Sequence, residues 1–171
     1  MQTFLMYIYR VPKATMGLRD DESIIQFPPS SLVGVVQAKD PLAPTRKSKI
    51  EKYNLKPFQI DQELFYLVIN QAKELSMQII NIYFRDELEE ELEDELQEAI
   101  DENNIDKLLL LIIENRKSNN EIDKLAFFYK GRNYSVGKYG IIEVDGDRDS
   151  IYELTMNSPV SRILGIKKIL G

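Results

Sequence analysis

Leu125-Ala-Phe-Phe-Tyr-Lys-Gly-Arg-Asn-Tyr-Ser-Val-Gly-Lys-Tyr-Gly-Ile-Ile-Glu-Val144 decides the fold class. Aromatic and β-branched residues are broken at Lys130–Asn133 and again at Gly137–Gly140 by turn-forming clusters, which reads as a β-meander with short connections. Strands joined so tightly must pair antiparallel. The sheet that contains them needs further strands and a covering layer, and both are sought outward from here.

Residues 2–11 are rich in aromatic and β-favouring side chains and stop at Pro12. Phe4, Met6 and Ile8 alternate with Leu5, Tyr7 and Tyr9, so both faces are apolar and a strand covered on both sides is predicted. A shorter strand is expected near Ile24–Phe27, ended by Pro28-Pro29, and a third over Ser31–Ala38. Gly34 interrupts the last of these, which signals a bulge or a close backbone approach.

Helical periodicity supplies the covering layer. From Ile60 to Tyr83 apolar residues recur at helical spacing, predicting one long helix, although Met77–Phe84 reads equally well as a strand. Asn103-Asn104 offers an N-cap to residues 105–116, whose Leu-Leu-Leu-Leu-Ile-Ile core is apolar all round and is expected to be buried. Ser158-Pro159 opens a last helix over 160–170. The expectation is an α+β fold in a single domain spanning 1–171: an antiparallel sheet from the N-terminal strands and the 125–144 meander, packed against helices 60–83, 87–102, 105–116 and 160–170.

The remaining helix is the most polarised element. Residues 85–102 hold eleven carboxylates and one Arg, a net of −10, whereas the whole chain carries −6. Leu88, Leu92, Leu96 and Ile100 fall on one side of it and Glu fills the other positions, giving an amphipathic helix over 86–102 with a narrow seam. Asp86 and Glu89 resemble a capping box, and the early acids suit the positive end of the helix dipole; Asp101 and Glu102 at the other end do not.

A basic loop is expected over 39–57, which carries Lys39, Arg46, Lys47, Lys49, Lys52 and Lys56 among Pro41, Pro44 and Pro57. It could contact phosphates, or fold onto the acidic helix of its own chain. In the meander, Tyr129, Tyr134 and Tyr139 lie among Lys130, Arg132 and Lys138, and aromatic rings beside cations are what single-stranded nucleic acid stacks on.

Absent residue types narrow the chemistry. There are no Cys, His or Trp, which removes thiol and Ser-His-Asp catalysis, imidazole acid/base work, disulfides and nearly every zinc site. Asp145-Gly-Asp-Arg-Asp-Ser150 starts like a calcium loop, but Ser150 stands where Gly is expected and Met156 where a bidentate Glu is required. No metal and no cofactor are expected. The N-terminal stretch lacks a basic region and a cleavage site, and the longest apolar run, Leu108–Ile113, is far below the eighteen or so residues a spanning helix needs. A cytoplasmic, non-membrane protein is expected.

These readings favour a non-enzymatic interaction or regulatory protein that meets a partner protein's basic surface through Glu89, Glu90, Glu93, Asp94 and Glu95. The alternative is nucleic-acid binding through Arg46, Lys47, Lys49 and Lys52 with Tyr129, Arg132, Tyr134 and Lys138. Third comes a Mg-dependent nuclease built on carboxylates such as Asp145 and Asp147.

Overall fold

The computed structural model of the chain describes residues 2–12, 17–27, 31–38, 46–147 and 164. In chain order these form β1 (Gln2–Arg10), β2 (Ile24–Gln26), β3 (Leu32–Ala38), α1 (Arg46–Tyr53), β4 (Lys56–Pro57), α2 (Gln62–Gln71), β5 (Gln78–Phe84), α3 (Glu90–Asp101), α4 (Ile105–Arg116), β6 (Ile122–Tyr129), β7 (Arg132–Gly137) and β8 (Ile141–Gly146), with one 3-10 turn at Leu18–Asp20. Strands paired antiparallel with separate helices make this an α+β fold. Tertiary contacts divide the chain into two units, Met1–Gln59 with Tyr139–Gly171, and Ile60–Lys138.

In the first unit β1 is central. It pairs with β3 from Phe4↔Ala38 to Arg10↔Leu32 on one side and with β8 from Gln2↔Gly146 to Tyr7↔Ile141 on the other, while β2 extends the ladder beyond β3. Both faces of β1 are covered, as its sequence predicts: Phe4, Met6 and Ile8 are buried on one, Tyr9 on the other. Gly34 marks a close approach and not a bulge, because β3 pairs without a break and a Cβ there would run into Met6 Sδ and Cγ. Where a loop is expected over 39–57, residues 46–53 form α1, which packs on β3 through Tyr53 and Ile50 within a cluster of Tyr9, Ile24, Val33, Val35 and Leu55. Unlike residues, Ile50 and Tyr53, at i, i+3 supply that helix with its inner edge.

In the second unit β6 is central, flanked by β5 and β7. The β6–β7 hairpin turns on Lys130-Gly131, both at positive φ (46° and 79°), as a two-residue turn that follows strand twist requires. Ile79, Ile82, Leu125, Phe127 and Val136 are buried, and helices α2, α3 and α4 belong to the same unit.

The single helix expected over 60–83 is two elements. Asp61 caps α2, its carboxylate accepting from Leu64 N at 3.0 Å, the helix ends at Gln71, and Ser76 takes φ 53° before β5 begins. Residues 78–84 are Gln-Ile-Ile-Asn-Ile-Tyr-Phe, whose β-branched and aromatic content favours a strand. A register shift between Ile79 and Asn81 lets Ile79 and Ile82 face inward together, so a strand shows the three-residue spacing of a helix.

Two side-chain amides finish this ladder. Asn120 accepts from Asp86 N at 2.8 Å and donates to Asp86 O at 3.0 Å. Gln62 treats Ile122 the same way, accepting from its N at 2.8 Å and donating to its O at 3.0 Å. Each amide replaces a missing strand neighbour, satisfying backbone groups that would otherwise be stranded. The helix expected over 160–170 lies outside the described residues apart from the buried Leu164, as do positions 148–150 of the calcium-like loop.

Candidate functional site

Helix α3 starts at Glu90, three residues later than the capping-box reading places it. Glu89 is the N-cap at φ −63° and ψ 144°, without a side-chain bond, because Asp86 is held by the Asn120 clasp. Leu96, Ala99 and Ile100 are buried, Leu88 and Leu92 half-buried, and the seam packs against α4 and β5. Glu90, Glu91 and Glu93 lie in the first turn, where the helix dipole favours them.

The connection to α4 is three residues long. Asn103 takes φ 51°, Asn104 N donates to Ala99 O at 2.9 Å, and the Asn104 side chain accepts from Lys107 N at 3.2 Å as the N-cap its sequence predicts. Across this joint Lys107 Nζ reaches Glu98 at 3.1 Å. Both side chains are well exposed, so the pair adds little stability and neutralises one of eleven carboxylates.

Glu89, Glu90, Glu93 and Asp94 are exposed and Glu95 is half-buried. None of these five side chains forms an ion pair or hydrogen bond with the described residues. Nearby acids are tied only lightly: Asp86 to Arg85 at 3.3 Å, and Asp101 to Gln97 at 2.8 Å. The result is an anionic surface on a rigid element.

Helix α4 departs from expectation. Ile105, Leu108, Leu111, Ile112 and Asn115 face the core, but Leu110 is 65% and Ile113 49% exposed. Its run of six apolar residues therefore covers the whole circumference, and two of them reach solvent. Among the described residues Leu110 is about as exposed as Tyr139 and more so than any other large apolar side chain.

The residues of the nucleic-acid alternative fall in both units. Arg46, Lys47, Lys49 and Lys52 are all on α1. Arg46 lies 4.0 Å from the centroid of the Tyr7 ring, Lys52 5.2 Å from that of Tyr53, and Lys47 is exposed. Lys49 Nζ reaches Asp21 Oδ2 at 2.6 Å. In the other unit Tyr129 and Tyr134 are buried, the latter stacked on Phe127 at 5.2 Å, so neither ring face is open to a base. Burial pushes the Tyr134 hydroxyl pKa up. Lys138 is bonded to Glu121 at 3.1 Å, and Arg132 is half-buried at the start of β7.

Sequence reasoning missed the hub around Asp21. Its Oδ1 accepts from Ser23 N at 3.0 Å and Ser23 Oγ at 2.6 Å, and its Oδ2 from Lys49 Nζ and from Tyr53 Oη at 2.7 Å. Burial alone would raise this carboxyl, but the bonds from Lys49, Ser23 and Tyr53 outweigh it and hold the pKa far below the carboxylate range. Lys49 and Tyr53 at i, i+4 share a helix face; that spacing was the one legible hint. All the acceptor capacity of Asp21 is used by its own chain, so the cluster is a structural anchor for α1.

Among the described residues no group of three or more carboxylates could hold a metal ion. Of the nuclease pair, Asp145 Oδ1 accepts from Thr3 Oγ1 at 2.9 Å, and Asp147 is exposed. No protein-family model, curated protein or solved structure matches this chain.

Proposed function

We propose that the chain is a non-enzymatic interaction protein that binds a partner with a basic surface through α3. The observation that carries the reading is the set Glu89, Glu90, Glu93, Asp94 and Glu95, carboxylates on one packed helix with no partner among the described residues. Charges of one sign on a rigid support raise the association rate with an oppositely charged patch and make it fall with salt. A docking role also suits a sequence without Cys or His. Among the described residues no helix is long and apolar enough to cross a membrane, and we place the protein in the cytoplasm as part of this proposal.

Replacing Glu89, Glu90, Glu93 and Glu95 by Lys should leave the circular dichroism spectrum unchanged and abolish capture of the partner from source-cell lysate. A parallel set of Gln variants separates loss of charge from repulsion. Capture that persists through both sets, at the same salt concentration, would end the proposal. No second reading has a comparable observation behind it, since Tyr129 and Tyr134, two of the three meander rings that nucleic acid would stack on, are buried.

A further inference from the structure

Leu110 and Ile113 stand on the outer side of α4 with Asp106 and Lys117, positions spaced i, i+4, i+7 and i+11. An isolated exposed Leu is ordinary; two large apolar side chains together in the middle of a helix, 65% and 49% exposed, are a surface. What borders them fixes what can cover them. On α3, Glu98 turns toward α4 to meet Lys107, and Glu91, Glu95 and Glu102 share that side of the helix by the same spacing. Glu114 on α4 is exposed as well.

Resting on the reading above, we infer that the partner segment is a cationic amphipathic helix, whose apolar side chains seat on Leu110 and Ile113 while its Lys and Arg residues meet Glu91, Glu95 and Glu102. Charge complementarity selects this occupant over the others. A second copy docked by the same face would bring two carboxylate rows together, and like charges across an interface oppose binding. An anionic lipid surface or a nucleic-acid backbone is repelled for the same reason. A purely basic partner would satisfy the acids and leave the apolar pair in water. An amphipathic helix answers both, with apolar anchors at helical spacing giving the strength and flanking charge the orientation.

The test uses the full chain and three labelled synthetic peptides of equal charge: a Lys/Leu peptide patterned as an amphipathic helix, the same composition in scrambled order, and oligolysine. Fluorescence anisotropy should show the patterned peptide binding roughly tenfold tighter than either control, an advantage that depends on a few buried anchors. Leu110→Ser with Ile113→Ser should erase the advantage and leave oligolysine binding as it was, and both positions are exposed enough for the variant to fold. Leu110→Met with Ile113→Met should keep it.

A patterned peptide that binds the Ser variant as tightly as the wild type overturns the inference. If Glu91, Glu95 and Glu102→Gln still weakens all three peptides in that case, the acidic-surface reading survives on its own. If those Gln changes have no effect, and neutralising Glu89, Glu90, Glu93 and Asp94 has none either, both fall. Sedimentation of the wild type as a dimer that the Ser variant splits would assign the surface to a second copy and overturn the inference too.

Discussion

On α1, Lys49 donates to Asp21 at 2.6 Å and Arg46 lies 4.0 Å from the Tyr7 ring, whereas on α3 the carboxylates of Glu89, Glu90, Glu93 and Asp94 meet no partner among the described residues. Both helices are short and strongly charged. Their difference lies in burial. Asp21 is 7% exposed at its side chain, so its charge must be answered locally and by several donors. The α3 acids sit in water, which answers them at no structural cost. The same residue types therefore build an anchor in one unit and leave an available surface in the other. Charge in a sequence shows neither outcome until burial is known.

The comparison breaks most sharply at Asp21. Asp21→Ala removes the acceptor of four hydrogen bonds and leaves Lys49, Tyr53 and Ser23 donors near a buried site. Losing one partner of a mostly buried pair costs about 2–4 kcal/mol once the partial exposure of Lys49 is discounted. Urea denaturation should show it as a lower midpoint; a change below about 0.5 kcal/mol would mean that α1 is held by Ile50 and Tyr53 packing alone.

Acid sharpens the same contrast. Burial would raise the Asp21 carboxyl, but bonds from Lys49, Ser23 and Tyr53 hold its folded pKa well below the unfolded value near 3.9. A depressed pKa contributes stability that is complete above the unfolded value and is lost as pH falls toward the folded one. The wild type should therefore be more stable than Asp21→Asn at pH 7, with the gap narrowing below about pH 4. A gap that is as wide at pH 3 as at pH 7 would show that the hydrogen-bonded shape of the cluster matters and its charge does not.

How much of this was legible follows from how local each signal is. The strand at Phe4, Met6 and Ile8, the turn at Lys130-Gly131 and the cap at Asn104 are set by residues within a few positions of one another, and each appears where the sequence places it. Residues 77–84 were ambiguous because the shift between Ile79 and Asn81 disturbs strand alternation and imitates helical spacing. Of the Asp21 hub only the Lys49/Tyr53 spacing was legible: the bonds from Asp21 to them span 28 and 32 residues and leave no period to detect. Leu110 and Ile113 were misplaced by a fair rule, since a helix apolar all round is usually buried, and only packing shows which side stays outside. At the candidate site the acids were readable as a group, while the buried rings of Tyr129 and Tyr134 were not distinguishable from stacking platforms.

The smallest effect tests whether α3 is shaped for stability or for its surface. Glu102 is the C-cap of α3, exposed, and sits with Asp101 at the negative end of the helix dipole, where no basic residue occupies the last turn. Two carboxylates there oppose the dipole and each other. Glu102→Lys should stabilise the protein by about 0.3–1 kcal/mol at low ionic strength, less as salt is added. Neutralising Asp21 destabilises one unit, and reversing Glu102 stabilises the other. Acids that cost stability at a helix end are what the proposed binding role predicts, because function is often kept at the expense of stability. A thermal melt at low and high salt decides it: a melting temperature that drops for Glu102→Lys would mean the acidic end is answered within the protein, and α3 would then lose its contrast with α1.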